Sequence, residues 1–351
     1  MSNRDSIVTA ASRDRFVLTI IAVILVSAAL YSARVVFEPI AFTFFAMALV
    51  WPFQKAVEAR MPKPAALALT ILLTLAVISI FALAIIWSIG EVSHWSLANA
   101  ARFESFYTRG AQWLEAHGLF VTDLFKLLDA SWLVGFVQGV GSRLRYFSVF
   151  SVIVFLLLTF ALIESSHFEI KIKALDKEAV GWSVSSTCEA IARRLRQYML
   201  IRSIASLATG LAVFAFTFSM GVELPAAWGV IAFVLNFVPY IGSLFAVILP
   251  VAFATIQFES WGMVAAIFAG LYFLQFIIGS YLEPLIAGAA LAISPFAMLC
   301  AFFFWDFLWG IPGAFIGLPV TIALFTICEQ TPSGRRIAKL LSNHNGQSQP
   351  S

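Results

Sequence analysis

The stretch from Pro225 to Gln257 reads PAAWGVIAFVLNFVPYIGSLFAVILPVAFATIQ and contains no charged side chain. As one straight helix, these roughly thirty residues would be about 45 Å long, whereas the hydrocarbon core of a bilayer is only ~30 Å thick. The segment 236–243 lies at its centre and contains Pro239, which lacks a backbone donor, and Gly242, which relaxes the backbone. We therefore expect a helix that breaks near Pro239.

The sequence around this stretch is equally poor in charge. From Ser203 to Gly334 the chain has no Lys, Arg or His. Because Lys and Arg are almost never fully buried, a water-soluble surface of this length would carry cations. Over the whole chain, hydrophobic residues make up 61% and charged residues 12%, about half of the ~25% charged residues of soluble proteins. The composition indicates a chain embedded in lipid.

Eight further apolar runs predict membrane helices, because they are too long for barrel strands and show no two-residue alternation. The predicted fold class is an all-α polytopic integral membrane protein with about eight transmembrane helices and a broken, re-entrant element in the C-terminal half. The eight runs are Phe16–Ala33, Val36–Trp51, Ala65–Ile89, Phe147–Ile163, Leu200–Met220, Gly262–Tyr281, Ala287–Trp305 and Pro312–Cys328.

The distribution of cations predicts the orientation. Cytoplasmic loops collect Lys and Arg, and a chain with both termini in the cytoplasm places sixteen of its 22 Lys and Arg residues on that side. If Pro225–Gln257 were a ninth crossing, the C-terminus would lie outside. We therefore expect this element to enter and leave the membrane on one face.

The polar segments divide the chain into four predicted regions. They are a three-helix membrane region at 1–90, an extracytoplasmic amphipathic segment at 91–145, a C-terminal transport region at 146–334 and a cytoplasmic tail at 335–351. The transport region includes a basic cytoplasmic segment at 165–198. Its cations are expected to contact anionic membrane lipids rather than nucleic acid.

Residue patterns typical of enzymes and cofactor sites are missing from the sequence. The four histidines lie outside the apolar runs, and the three cysteines have neither disulfide nor zinc spacing. There is no nucleotide-binding motif. We expect no catalytic residues, no metal site and no cofactor.

Polar residues inside the apolar C-terminal half are the candidates for a solute or ion pathway. Charged groups at membrane depth are costly and usually face a bundle interior or a water path. A hydrated loop position remains the alternative for Glu283, and a loop tip between two helices remains the alternative for Asp306. The candidates are Asn236, Pro239, Tyr240, Gly242, Ser243, Gln275, Glu283 and Asp306.

A second set of residues predicts hinges and close packing. The sequence Trp309-Gly310-Ile311-Pro312-Gly313 separates the last two runs, and a sharp turn is expected there. Gly313 and Gly317 form a small-residue face that permits close helix contact, within this chain or, as the less favoured alternative, between subunits. The full set is Pro284, Gly288, Gly310, Pro312, Gly313 and Gly317.

Three ordered motifs resemble the autoinducer-2 exporter family, also described as a permease family. The first is NFVPYIG at 236–242, the second is YLEP at 281–284 with Gly288 and Ser294-Pro295, and the third is WGIPG at 309–313 with Leu318-Pro319. The resemblance covers nearly the whole chain. The chain departs from the family pattern at Ser243, at Leu285-Ile286 and at Asp306.

The resemblance implies an inner-membrane transporter that forms homo-oligomers and exports a small polar solute. Members of the family are associated with export of autoinducer-2, a furanone used in quorum sensing, and others with sodium/proton antiport. Three alternatives stay open. They are a Na⁺/Li⁺–proton antiporter, a membrane enzyme, for which the sequence offers no convincing nucleophile, base or metal site, and a structural or assembly protein of the membrane. Coupling to protons or sodium would place Glu283, and with it Asp306, in the mechanism.

Overall fold

A computed structural model describes residues 3–99, 101–102, 105, 108, 130–178, 183–239, 241–258, 260–283, 285, 294–331 and 334. Within this part of the chain all regular structure is helical. The α-helices in chain order are α1 (Asn3–Ser32), α2 (Arg34–Glu58), α3 (Lys63–Ala98), α4 (Ala130–Glu178), α5 (Val184–Ser219), α6 (Pro225–Leu235), α7 (Ile241–Gln257), α8 (Trp261–Ile277) and α9 (Pro295–Gln330). A π-helical turn, Ile278–Leu282, continues α8.

The helices are long and apolar enough to span a bilayer. Six of them in the described part meet that standard: α2, α3, α5, α9, α4 over Tyr146–Ser165, and α8 with its π-helical turn. On α3, Leu72, Ile80 and Leu83 are each more than 60% exposed. Apolar side chains exposed in such numbers mark a surface that faces lipid. The prediction of an all-α polytopic membrane protein is confirmed.

Helix α9 is a hairpin with two arms. At Gly310 the backbone adopts φ 64° and ψ −143°, a conformation that a residue with a Cβ rarely takes. Trp305 Nε1 donates to Thr321 Oγ1 at 3.1 Å, although these atoms would lie ~24 Å apart along a straight helix. The predicted turn at 309–313 is confirmed. Of the predicted run 287–305, residues 287–293 lie outside the described residues.

The glycine face of α9 packs within the hairpin. A Cβ on Gly317 would lie 2.7 Å from Trp305 Cβ, and a Cβ on Gly313 would clash with the Trp305 carbonyl. The close helix contact that these glycines permit is therefore a contact within this chain.

Helices α6 and α7 form the predicted re-entrant element. At the end of α7, Gln257 Oε1 accepts from the Glu223 backbone N–H at 2.8 Å, and Gln257 Nε2 donates to the Gly221 carbonyl at 2.8 Å. The end of α7 thus returns to the residues that precede α6. Because the 11 residues of α6 extend only ~16 Å, the pair enters and leaves on one face.

The two ends of the bundle are fixed by polar contacts. At one end, Arg194 Nη1 lies 2.5 Å from Glu329 Oε2 and joins the start of α5 to the end of α9; we call this end the basic face. At the other end, Trp95 Nε1 donates to Glu223 Oε2; we call it the opposite face. Trp309 Nε1 donates to the Leu30 carbonyl at 3.2 Å, so the α9 turn lies beside the end of α1 at the opposite face.

Two predicted region boundaries fall inside helices. Helix α3 continues past residue 90 to Ala98, and α4 begins at Ala130, well before residue 146. No proline stands at either position, so the helical backbone hydrogen bonds continue where the composition changes. The centre of the predicted amphipathic segment, 109–129, lies outside the described residues, and the division into regions stays a prediction.

Helices α5 and α6 cross at two glycines. A Cβ on Gly210 would lie 2.7 Å from Phe233 Cβ and 2.9 Å from the Gly229 carbonyl, and a Cβ on Gly229 would lie equally close to Phe214 and Gly210. Small residues let helix backbones approach closely in membranes. This crossing holds the re-entrant element against α5.

Replacing Gly210 with alanine is expected to lower the stability of the purified protein by about 1–3 kcal/mol, because neither neighbouring backbone has room to move apart without loss of packing. Thermal unfolding in detergent measures the change. Gly90→Ala on α3, where a Cβ meets nothing within 4 Å, is the matched control and should leave the free energy of unfolding within about 1 kcal/mol of the original. If Gly210→Ala and Gly90→Ala changed the stability equally, the close crossing of α5 and α6 at Gly210 would be contradicted.

Candidate functional site

The turn between α6 and α7 is buried inside the protein. Asn236, Phe237, Pro239 and Gly242 are all buried. A Cβ on Gly242 would clash with the Leu235 carbonyl, so glycine is required where the start of α7 passes the end of α6. Irregular backbone at membrane depth is tolerated only where protein or a wet cavity covers it. We call residues 236–239 and 241–242 the re-entrant tip.

Contacts from α3 and α5 hold the tip. Asn236 Nδ2 donates to Ser206 Oγ at 3.3 Å, and both side chains are buried. From the other side, the Phe81 ring lies 5.5 Å from Phe233 and 5.8 Å from Phe237. Ser206 precedes the end of α5 at Ser219 by about 20 Å of helix. Arg194 at the basic face lies about 18 Å of helix from Ser206 in the other direction, so the tip lies near the middle of the bundle.

An ion pair lies one helical turn from the tip. Arg202 Nη1 lies 2.8 Å from Glu283 Oε1, and the two side chains are 11% and 33% exposed. Glu283 follows the π-helical turn of α8 directly. It is therefore not the fully hydrated loop residue that the sequence left open, because α5 supplies a partner for its charge. Pairing lowers the cost of holding either charge at this depth.

Three buried polar atoms near the tip lack hydrogen-bond partners among the described residues: Arg202 Nε, Thr209 Oγ1 and Gln275 Nε2. Arg202, Ser206 and Thr209 occupy positions i, i+4 and i+7, which is one face of α5. Buried polar atoms without partners are rare in proteins and call for a water, an ion or a ligand.

The antiparallel packing of α8 on α5 gives the depth of Gln275. A Cβ on Gly270 would clash with the Phe216 ring, and Glu283 pairs with Arg202, so these contacts bracket Gln275. Counted along both helices at 1.5 Å per residue, Gln275 and Thr209 lie within about 3 Å of the same depth. The two unpartnered groups thus belong to one level of the bundle.

The chemistry at this level favours hydrogen-bond acceptors as ligands. Arg202 Nε and Gln275 Nε2 can only donate, and the Thr209 hydroxyl can do either. Among the described residues no group of three or more His, Cys, Asp or Glu side chains could hold a metal ion. The arrangement suits carbonyl, hydroxyl or carboxylate oxygens of a solute.

The structure brings together only part of the predicted site. Asn236, Pro239 and Gly242 form the tip, Ser243 follows it in α7, and Glu283 and Gln275 approach it from α8. Tyr240, Pro284 and Gly288 lie outside the described residues. The hinge residues Gly310, Pro312, Gly313 and Gly317 lie in α9 and do not reach the tip.

Asp306 also lies apart from the tip. It is half-buried in the first arm of α9, one helical turn before Gly310. That turn is at the opposite face, whereas the tip is about 20 Å of helix away from this face. Asp306 is therefore not the loop tip that the sequence left open, because its arm stays helical up to the turn.

Arg202, Ser206 and Thr209 were not among the site residues predicted from the sequence. Arg202 was counted among the cytoplasmic cations, although it lies inside the predicted run Leu200–Met220 and is the last cation before the cation-free stretch. A single charge within a predicted span is the signal that could have identified it.

Glu283→Gln is expected to destabilise the purified protein by about 3 kcal/mol, because it leaves the buried Arg202 charge without its partner. R202E and E283R should each destabilise the protein as well, and the double variant R202E/E283R, which reverses the pair, should recover most of the loss. Thermal unfolding of Glu283→Gln, the two charge-reversed single variants and the double variant measures the coupling. Glu189→Gln, which removes an exposed partner of Arg193 on the same helix, serves as the control and should have little effect. Additive effects of R202E and E283R would show that the two side chains do not interact.

Comparison with known proteins agrees with this architecture. The family described as AI-2E family transporter matches residues 18–333. A protein of Borreliella burgdorferi named "Putative transport protein" is 37% identical over 51% of this chain and 49% of its own length. "AI-2 transport protein TqsA" of Escherichia coli K12 is 34% identical over 42% of this chain and 43% of its own.

A further relative extends the similarity at lower identity. "Putative transport protein YhhT" of Escherichia coli K12 is 26% identical over 62% of both chains. The matched segments span about half the length of the first two relatives. Because the family match covers nearly the whole chain, the protein is a member of the AI-2E transporter family, a family of multi-pass membrane permeases.

Proposed function

We propose that this transporter exports a small, oxygen-rich polar solute of the autoinducer-2 kind, which binds between the re-entrant tip and α5. The observation that carries the proposal is the set of unpartnered buried groups beside the tip, Arg202 Nε, Thr209 Oγ1 and Gln275 Nε2. The name of the relative TqsA supports an autoinducer-2-like solute. The direction of transport rests on the resemblance to exporters.

The charge at the site favours a solute over a bare cation. The Glu283 carboxylate lies beside Arg202, one helical turn from the tip, and the Arg202 guanidinium contacts one of its oxygens at 2.8 Å. Two of the three unpartnered groups, Arg202 Nε and Gln275 Nε2, can only donate hydrogen bonds and would repel a metal ion. A Na⁺/Li⁺–proton antiporter needs a carboxylate that is free to exchange ions, so the geometry at the tip favours it less.

The tip is also suited to move. Discontinuous helices place solute sites at the interface between moving parts of many transporters. The hydrogen bond that Asn236 Nδ2 donates to Ser206 Oγ joins the polar end of the tip to α5. We infer that solute oxygens replace this contact as the site opens. With no nucleotide motif in the sequence, an ion gradient or facilitated flow supplies the energy.

Thr209→Val is expected to weaken solute binding about three- to tenfold, because it removes one hydrogen-bonding group at constant shape. Efflux of a labelled hydroxylated furanone from proteoliposomes of the purified protein measures apparent affinity. Thr217→Val is the matched control: both threonines are fully buried on α5, but Thr217 Oγ1 already donates to the Val213 carbonyl at 2.7 Å.

Absence of furanone efflux from folded, inserted protein would contradict the proposed solute class. In that case a pulse of sodium or lithium with a pH dye inside the vesicles decides the second function. A dye response that Glu283→Gln abolishes would establish cation/proton antiport. If Thr209→Val and Thr217→Val both leave the apparent affinity for the furanone unchanged, Thr209 is not part of the binding site.

We further propose an inner-membrane location with the basic face in the cytoplasm. Cys188, exposed near the start of α5, should then react with a membrane-impermeant maleimide in inverted vesicles and stay protected in intact cells, in a chain with Cys300 and Cys328 replaced by serine. Asn99→Cys at the end of α3, in a chain without other cysteines, should show the reverse pattern. Labelling of both positions from one side would overturn this topology.

A further inference from the structure

Glu38 is a buried carboxylate in the membrane part of α2. Its side chain is 1% exposed, and it is the one acidic residue among the buried side chains that the structure describes. Tyr146, from α4, donates its hydroxyl hydrogen to Glu38 Oε2 at 3.0 Å. Neither residue was predicted from the sequence. Neither takes part in the site at the re-entrant tip.

No described cation forms an ion pair with this carboxylate. Arg34, one turn earlier on α2, is close enough to favour its charged form, but the Arg34 guanidinium lies 5.7 Å from the centre of the Tyr31 ring on α1 and leaves both Glu38 oxygens without a direct cation contact. From α3, α5 and α9, the other helices packed against α2, no described charged or titratable side chain bonds to Glu38. By contrast, Glu283 and Glu329 each pair with an arginine.

A charge in such a place is expensive. Burial of an ionised carboxylate without a counter-ion costs far more free energy than burial of the neutral acid, whereas a phenol can bond to either form. The carboxyl can therefore take up a proton and keep its hydrogen bond. Water at the opposite face is close, because Glu38 lies only about 6 Å of helix from the start of α2.

Glu38 lies next to a proline at which α2 can bend. Pro39 follows it directly and leaves one backbone position of α2 without a donor, and Thr43 Oγ1 donates to the Pro39 carbonyl at 2.7 Å. Proline within a helix is a common place for bending. A bend here would change the packing of Glu38 against α4, and any conformational change that alters proton affinity is coupled to proton binding by linkage.

We propose that Glu38, held by Tyr146, is the proton-binding site that couples this transporter to a proton gradient. The step is reversible: the carboxylate accepts a proton from water to become the neutral acid, and returns it when α2 and α4 separate. The inference rests on the proposed transport function for its role, but the proton site itself can be measured without any solute.

Infrared difference spectra of the purified, reconstituted chain, recorded during a pH titration, test the site. A band from a protonated carboxyl group should appear and disappear with pH, vanish in Glu38→Gln, and titrate with a changed midpoint in Tyr146→Phe. Glu164→Gln, which removes an exposed carboxylate from the same helix as Tyr146, should leave the band unchanged. If Glu38→Gln retains the full band, the proposal is overturned.

Transport assays separate this proposal from the proposed function. In proteoliposomes, an imposed pH gradient should drive accumulation of the labelled furanone with the original protein and not with Glu38→Gln, while furanone exchange at equal pH continues in both. Accumulation that survives in Glu38→Gln would overturn the coupling role even if exchange confirms a transporter. Should Glu38→Gln fail to fold, the shifted midpoint in Tyr146→Phe still decides whether Glu38 binds the proton.

Discussion

Backbone hydrogen bonding in a medium without water is the constraint on which the rest of this structure depends. A helix satisfies its own N–H and C=O groups, but a break in a helix does not, and lipid offers no replacement. The break between α6 and α7 is therefore enclosed: Phe81 of α3 contacts Phe237 on one side, and Ser206 of α5 accepts a hydrogen bond from Asn236 on the other. The close crossing at Gly210 and Gly229 makes this enclosure possible.

Enclosure of the tip also explains why polar chemistry concentrates on one face of α5. Once the tip lies against this helix, positions 202, 206 and 209 are shielded from lipid and can carry polar groups at modest cost. Arg202 keeps Glu283 as its partner, and the remaining donors face the same level of the bundle. A solute with several oxygens completes a set of hydrogen bonds that the protein leaves incomplete.

Much of the architecture could be predicted from the sequence, because in lipid a helix must be long and apolar, and turns must carry Pro or Gly. The turn at Gly310 and the break at Pro239 were both visible in this way. The partners across helices were not, since pairing of Arg202 with Glu283 or of Glu38 with Tyr146 depends on rotation and crossing angles that no periodicity in one helix specifies. Asp306 illustrates the same limit. Its position beside a turn is visible in the sequence, but whether that turn lies near the tip is not. Homo-oligomer formation stays a prediction from the resemblance.

The depth of the re-entrant tip has an electrical consequence. Because the tip sits about 20 Å of helix from the opposite face and about 18 Å from Arg194 at the basic face, a solute bound there has crossed roughly half of the membrane. A singly charged solute that enters from the opposite face would then exchange about 1.2 kcal/mol with a membrane potential of about 100 mV before any helix moves. A neutral, oxygen-rich solute would exchange none, so its occupancy at the tip would follow concentration alone.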